Sequence, residues 1–245
     1  MIRLISIVVI LSITVRGVFA QPGTKAEKLL ETLKSGDLKN ALELAQSIDS
    51  VNYTDPAGTS LLIMASRFGN PDVISLLLFR GAKPDMKAAD GSTALIWASV
   101  RGRAYIVKLL LDNGANPDIQ NHDGSTALLF AVEERLDEIV KTLLDGGANP
   151  DQPGSNGITP LMRASQLGLK EMARILLEKG ANPDFQGKNG YTALMVASMN
   201  GQTDIVTELL NKNANRYLKN ADGKTALDMA ANTDIKSLLA NIEKP

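Results

Sequence analysis

Few side chains in this 245-residue chain are of the types that perform catalytic or metal chemistry. There is no cysteine, which excludes thiolate metal sites, cysteine nucleophiles and disulfides, and His122 is the only histidine. A Ser-His-Asp arrangement would need that histidine to be held by a buried scaffold. Glu133 and Glu134 are adjacent on a predicted helix, so their carboxylates diverge and do not share an acid-base site. We therefore expect no catalytic residue, no metal site and no cofactor, and interpret the chain as a non-enzyme.

The charge composition argues against a nucleic-acid partner. The chain has 26 Lys and Arg against 27 Asp and Glu, for a formal net charge of −1. Loss of the first twenty residues would remove Arg3 and Arg16 and leave 24 basic against 27 acidic residues. Nucleic-acid binding depends on clustered basic residues that neutralise phosphates. The sequence offers no such electrostatic footprint.

The first twenty residues have the layout of a secretory signal peptide. Arg3 gives a short positive region, residues 4–15 form an apolar run, and residues 18–20 form a small-x-small cleavage pattern before Gln21. An uncleaved anchor is the alternative, but the run falls short of the roughly 20 apolar residues needed to span a bilayer. We therefore predict export with removal of residues 1–20. The mature protein is expected to be periplasmic or secreted, without stable membrane insertion.

The rest of the chain is organised by a turn that recurs every 33 residues. Each copy has a glycine followed by Ser or Thr and then a Leu, and the first copy is looser than the others. The glycines are Gly58, Gly91, Gly124, Gly157, Gly190 and Gly223. After the turn, Leu95 and Ala98 illustrate the apolar spacing of a short first helix, and an Ile-Val-x-x-Leu-Leu segment follows as a second helix. A period of this length without insertions indicates a solenoid whose units stack on their neighbours.

This pattern resembles the ankyrin repeat. The resemblance rests on Gly-x-Thr-Ala/Pro-Leu-x-x-Ala, a mid-repeat Gly, and Ile-Val-x-x-Leu-Leu-x-x-Gly-Ala-Asn, and it covers roughly residues 24–242. It implies a mostly α-helical ankyrin-repeat solenoid in which each repeat has a hairpin-like finger and two antiparallel helices. It also implies a curved array with a concave face. The layout of an exported array is similar to that of bacterial periplasmic ankyrin-repeat proteins.

Three departures from the family pattern carry structural expectations. The family usually has His after the Leu of the first helix, and the hydrogen bond of that His must be absent here. The residues at that position are Ile63, Ile96, Leu129, Met162, Met195 and Asp228. Arg135 replaces the mid-repeat glycine, so we expect the first helix of its repeat to end differently. Asn213 replaces the later glycine, which is tolerable because Asn can adopt the left-handed conformation.

The register of the repeat predicts the domain organisation. After the signal peptide at 1–20, we predict an N-terminal capping repeat at 21–54 and five ankyrin repeats at 55–87, 88–120, 121–153, 154–186 and 187–219. A shortened C-terminal capping repeat follows at 220–245. Solenoid ends need a polar outer face, which both predicted caps provide. Asn52 begins a formal glycosylation motif, but it lies where later repeats have Asp and is interpreted as structural.

The side chains that stacking does not determine form the candidate partner-binding surface. On each first helix, positions spaced i, i+3 and i+4 share a face directed away from the packing Leu and Ala. The resemblance implies that this face lines the concave groove. The candidates are Arg67, Phe68, Trp97, Arg101, Phe130, Glu133, Glu134, Arg163, Leu167 and Met199 on the helices, with Ile158 and Tyr191 on the fingers. Aromatic and Arg side chains are enriched among interface anchors. Filling of space between adjacent helices is the alternative role for Trp97 and Phe130.

These observations predict an exported, non-enzymatic and monomeric module that binds a protein partner through the concave face. Two further roles stay open: an inhibitor or immunity protein for an exported toxin or enzyme, and a secreted effector that binds a host protein. Arg67 and Arg101 lie on one side of Glu133 and Glu134 in this order. The acidic pair therefore predicts a partner with a central basic feature, since charges set register and on-rate.

Overall fold

The computed structural model describes residues 23–240, so the predicted signal peptide lies outside the described residues. Within this range the chain forms thirteen α-helices, a single 3-10 turn at Lys188–Gly190 and no strand. The paired helices are α1 (Lys25–Ser35) and α2 (Leu38–Ser47), α3 (Leu61–Phe68) and α4 (Pro71–Phe79), α5 (Ala94–Val100) and α6 (Ala104–Asp112), α7 (Ala127–Glu133) and α8 (Asp137–Asp145), α9 (Pro160–Leu167) and α10 (Lys170–Glu178), and α11 (Ala193–Met199) and α12 (Thr203–Asn211). The last helix, α13, spans Thr233–Ala240 and has no helical partner within its own repeat.

A hydroxyl cap starts every first helix of the five full repeats (α3, α5, α7, α9 and α11). The capping side chains belong to Ser60, Thr93, Thr126, Thr159 and Thr192. Each oxygen accepts a hydrogen bond of 3.1–3.3 Å from the backbone N–H three residues later. This bond satisfies one of the free N–H groups at a helix start. The recurring Ser/Thr of the sequence turn is therefore the residue that begins each first helix.

The core lies between consecutive repeats rather than within any one of them. The alanines that recur on the first helices, such as Ala98 and Ala131, are fully buried, as are Leu95 and Leu128 beside them. Small side chains at these positions let the first helices approach each other closely. The second helices (α4, α6, α8, α10 and α12) pack less closely against one another than the first helices do. The array therefore curves toward the first helices, which line its concave side.

A ladder of side chain to backbone hydrogen bonds links each of the five full repeats to the repeat before it. A carboxylate of one repeat accepts the backbone N–H 31 residues later, as when Asn149 N donates to Asp118 Oδ1 at 2.8 Å. The other acidic rungs pair Asn116 with Asp85, Asn182 with Asp151 and Asn215 with Asp184, at 2.7–2.9 Å. Asn52 serves as the first rung and accepts from Lys83 N at 2.8 Å. This position is therefore structural, and its amide also donates to the Gly81 carbonyl.

The mid-repeat turn keeps its left-handed conformation even where glycine is missing. Arg135 has a φ of 59°, close to the 68° of Gly102 one repeat earlier. Helices α5 and α7 end in the same way, with caps at Arg101 and Glu134. The expectation that α7 would end differently is therefore wrong, because the stacked neighbours impose the turn on the arginine. Asn213 adopts a φ of 61°, as the sequence predicted.

Apolar packing replaces the histidine hydrogen bond at the finger of the next repeat. Five of the six residues at the histidine position, all except Asp228, are buried at 5 % exposure or less. A methyl group built on Gly187, in the next finger, would lie 3.3 Å from Met162 Sδ, so this side chain packs directly beneath the finger. The fingers are also joined by side-chain amides: Gln120 Nε2 donates to the carbonyls of both Gly124 and Pro153 at 2.8 Å.

The C-terminal segment lacks a regular first helix. Residues 226–229 form turns in place of the helix that earlier repeats have at this position. Asp228 accepts hydrogen bonds of 2.8 Å from both the backbone N–H and the hydroxyl of Thr225, and its own N–H donates back to that hydroxyl. The backbone bond from Thr225 is the largest cause of a lowered pKa for the Asp228 carboxyl. This reciprocal cap ends the series of first helices.

We expect Asp118→Ala to lower the free energy of unfolding by about 1 kcal/mol, because the Asn149 N–H loses its protein acceptor. Asp118→Asn should cost much less, since Asn52 already performs this role at the first rung. Chemical denaturation of both variants measures the difference. Equal losses in the two variants would show that the carboxylate acts through its charge and not as a hydrogen-bond acceptor.

We expect Arg135→Gly to raise the free energy of unfolding by roughly 0.5–1 kcal/mol. A left-handed residue with a side chain costs about 1–2 kcal/mol, and the greater freedom of glycine in the unfolded chain cancels about 0.4–1 kcal/mol of that gain. The matched change Gly102→Ala should be destabilising, because the space around Gly102 is open and only its φ of 68° opposes a side chain. Stabilisation by both changes in a denaturant titration would rule out this explanation.

Candidate protein-binding surface

The structure places the candidate helix residues on the concave side of the array. They belong to α3, α5, α7, α9 and α11, or directly follow one of these helices in the case of Arg101 and Glu134. Neighbouring repeats meet diagonally there: a residue near the end of one first helix contacts a residue 30 positions later, on the next first helix. Arg67 contacts Trp97 in this way, and Glu133 contacts Arg163. This diagonal decides which candidates come together.

At the N-terminal end of the groove, Arg67, Phe68, Trp97 and Arg101 form an arginine cluster. The Arg67 guanidinium carbon lies 4.5 Å from the centroid of the Trp97 ring, and that of Arg101 lies 5.9 Å from it. Arg67 is also 5.9 Å from the Phe68 ring, which is 40 % exposed. Cations over aromatic faces are attracted by the ring quadrupole. The tryptophan therefore orders two positive charges at the surface while its own ring packs against the core.

The two arginines of this cluster lack an acidic partner. Within residues 23–240, no carboxylate forms an ion pair with Arg67 or Arg101. The Nε atom of Arg67 is buried and has no hydrogen-bond partner. A third guanidinium lies close by, because Arg103 Nη2 donates to the Phe68 carbonyl at 3.3 Å. The N-terminal part of the groove therefore carries uncompensated positive charge.

The centre of the groove is polar, and one of its two glutamates is paired within the protein. Arg163 Nη2 lies 3.2 Å from Glu133 Oε1, and Arg163 Nη1 donates to Gln166 Oε1 at 2.7 Å. A small cavity of about 150 Å³ opens beside this pair, between α7, α9 and two fingers, with Ser125 and Ile158 in its wall. Much of the charge of Glu133 is thus matched within the protein, while Glu134 is exposed and has no ion pair among the described residues.

An apolar pocket of about 270 Å³ lies nearer the C-terminal end of the groove. It is formed between the fingers that precede α9 and α11, and its apolar wall consists of Ile158, Met162, Tyr191, Val196 and Met199. Gln166, Lys188 and Asn200 supply polar groups at its boundary. Met199 is 48 % exposed, so the pocket is open to solvent. Its combination of an apolar wall with a few polar groups suits an apolar side chain of a partner.

Three predicted site residues are not brought into these groups. Phe130 is half-buried and packs against the core, while Glu134 and Leu167 are exposed on the same side without a shared cavity. Trp97 and Phe130 are both half-buried, so each fills space between helices as well as facing the groove.

Sequence reasoning missed Met162, Val196 and Lys188 as pocket residues. Val196 holds the repeat position of Trp97, so the 33-residue period places it on the same helix face, although it was not among the candidates. Met162 was considered only as the replacement for the family histidine, and Lys188 is a finger residue that no spacing rule singled out. Periodicity shows which positions are equivalent, but it does not show where two fingers separate enough to open a pocket.

The histidine His122 is not among the residues that line the two cavities. His122 is exposed on a finger, where its backbone N–H donates to the Asp90 carbonyl at 2.9 Å. Residues 23–240 contain no cluster of three or more acidic or histidine side chains that could hold a metal ion. In the same range, none of the helices has the length and apolar character that crossing a membrane requires.

Comparison with known proteins identifies the fold. The family model described as ankyrin repeats in three copies matches residues 29–121, 61–154, 98–187 and 161–244. The crystal structure of the ankyrin repeat domain of Bcl-3, a unique member of the IkappaB protein family, superposes with a TM-score of 0.81 at 29 % sequence identity. That match covers 87 % of this chain and 97 % of the Bcl-3 chain. A comparison with curated proteins found no match.

The matches confirm the predicted ankyrin-repeat solenoid. They extend to 556 chains of solved structures, so the fold by itself does not select a partner. Ankyrin repeats generally mediate interactions between proteins, and the proteins that carry them are typically not enzymes. With family matches that together span residues 29–244, the chain belongs to the ankyrin-repeat family.

Proposed function

We propose that this chain is an exported, non-enzymatic module that binds one protein partner through the concave surface of its first helices and fingers. The observation that carries the proposal is the apolar pocket at Met199 together with the arginine cluster at Trp97, since both open on the same side of the array. Interfaces draw most of their affinity from aromatic, apolar and arginine anchors of this kind. The alternatives of a toxin or enzyme inhibitor and of an effector that binds a host protein would use the same surface.

The form of the surface favours a protein over a small molecule. The pocket holds about 270 Å³ and the central cavity about 150 Å³, which is below the usual 300–1,000 Å³ of small-molecule sites. A protein segment can use several such shallow features at once, because it spans several repeats. We propose that the chain acts as a monomer, since residues of a single copy form both the pocket and the arginine cluster.

We expect Leu167→Glu combined with Met199→Glu to weaken partner binding by at least about 2 kcal/mol, or roughly thirtyfold. Both side chains are partly exposed on the concave side, at 36 % and 48 %, so the fold should tolerate the change. The partner is first captured from an extract of the source organism and identified by mass spectrometry. Its affinity for each variant is then measured by calorimetry.

The matched control is Phe79→Glu with Tyr105→Glu, which places the same two charges on the second helices at residues that are 89 % and 67 % exposed. This control should bind the partner as the unmodified protein does. Loss of binding in the control, with retention in the concave-side variant, would assign the interface to the second helices instead.

Export is the second element of the proposal, and it rests on the pattern of residues 1–20. We expect the exported protein to begin at Gln21. Intact-mass measurement of protein recovered from the periplasm or culture medium decides this point. A mass that still includes Met1 would contradict cleavage and favour the uncleaved anchor.

A further inference from the structure

We infer that the segment recognised by this groove carries an acidic side chain, which binds the arginine cluster, and an apolar side chain, which enters the pocket at Met199. This inference rests on the proposed function and specifies the chemistry of its partner. It differs from the central basic feature that the charge order in the sequence had predicted. The difference arises from how the charges are paired in the fold.

The sign of the charge that the groove presents to a partner depends on which of its charged side chains are already paired within the protein. Glu133 is held 3.2 Å from Arg163, so its charge is matched within the protein, and Glu134 is the one acidic candidate that has no ion pair among the described residues. Arg67 and Arg101 have no such carboxylate within residues 23–240, although both are held against the Trp97 ring. An ordered guanidinium presents a planar set of N–H donors that fits a carboxylate. The unmatched charge available to a partner at this end is therefore positive.

The contact with Trp97 restricts the Arg67 side chain, and this restriction also favours binding of a carboxylate. A flexible arginine loses side-chain entropy when it forms a salt bridge, which is one reason that exposed ion pairs contribute little. Here the stacking on Trp97 already restricts the guanidinium of Arg67, and its Nε is buried without a partner. A carboxylate arriving at the cluster would find donors that are partly desolvated and already oriented. Such preorganisation reduces the cost of binding.

The distance between the arginine cluster and the pocket also defines how far apart the acidic and apolar side chains of the partner must be. The arginine cluster centres on α5, and the pocket lies at α11, three first helices further along the array. Packed helices lie about 8–10 Å apart, which places the features about 24–30 Å from each other. An extended peptide advances about 3.3 Å per residue. The acidic and apolar side chains of the recognised segment are therefore separated by about seven to nine residues.

The test uses a displayed library of random, tryptophan-free 16-residue peptides, selected on the purified protein. Selected peptides should be enriched at least threefold in Asp and Glu over the unselected library, with an apolar residue about seven to nine positions away. Trp97 is the only tryptophan of the chain, so its fluorescence reports binding of each synthesised peptide at the cluster itself. Raising the salt concentration should weaken the binding.

The decisive variants remove equal charge from different surfaces. Arg67→Gln with Arg101→Gln should weaken binding of the selected peptides at least tenfold. Lys108→Gln with Lys141→Gln, on the second helices α6 and α8, should change it less than twofold. Equal effects of the two pairs, or selected peptides without an excess of acidic residues, would overturn the inference. A selection that yields no peptide dependent on Arg67 and Arg101 overturns it as well.

A measurement without peptides keeps the inference testable if the arginine variant is unstable. Iodide should quench the fluorescence of Trp97 in the unmodified protein more efficiently relative to caesium than it quenches a free, neutral tryptophan amide in the same salt, because the cluster attracts anions and repels cations. An iodide-to-caesium quenching ratio no higher than that of the free amide would remove the basis for an acidic partner.

The Leu167→Glu and Met199→Glu variant separates this inference from the proposed function. If that variant loses the selected peptides and the arginine variant keeps them, the groove binds protein segments but does not select acidic ones. If both variants keep them, the concave-surface proposal fails too.

Discussion

Each repeat of this protein buries its apolar residues only by stacking against the next. In the repeats that contain Leu95 and Leu128, the two helices leave one face of the leucine open. The neighbouring repeat covers that face, so both side chains are enclosed. The alanines beside them allow the first helices to approach closely, and the Asp ladder adds one hydrogen bond to a backbone N–H at each of the four junctions between full repeats. Hydrophobic burial supplies most of the stability and the ladder fixes the register, because a hydrogen bond has a defined length and direction.

Stacking also explains which departures from the family pattern are tolerated. At the position of Met162 a buried apolar side chain supports the next finger, so a hydrogen bond can be exchanged for packing without changing the register. Arg135 keeps the left-handed turn because the repeats on both sides require α7 to stop there. Residues 226–229 form turns where the full repeats have a first helix, and Asp228 and Thr225 form a local cap there.

The same constraint leaves one surface free to vary. Several positions that face the groove contact a residue 30 positions away on the neighbouring first helix, and their identity changes from repeat to repeat without loss of the core. Trp97 uses that contact to hold Arg67, and Arg163 uses it to pair with Glu133. The groove consequently has a positive end, a polar centre with one matched glutamate and an apolar pocket, although the five full repeats share the same order of helices.

The sequence by itself determined the repeat, its period, the helix starts at Ser or Thr and the side of the first helices on which variable residues lie. These features follow from periodicity, since equivalent positions in a stack have equivalent environments. Tertiary structure alone decided which variable residues meet. The diagonal contact couples side chains of different repeats, and a carboxylate such as Glu133 counts as available or matched only once its neighbour is known. The pocket at Met199 likewise depends on the separation of two fingers, which no residue pattern encodes. Charge order along the chain therefore predicted a basic partner, whereas charge pairing in space favours an acidic one, because electrostatic attraction depends on distance in the fold and not on distance along the chain.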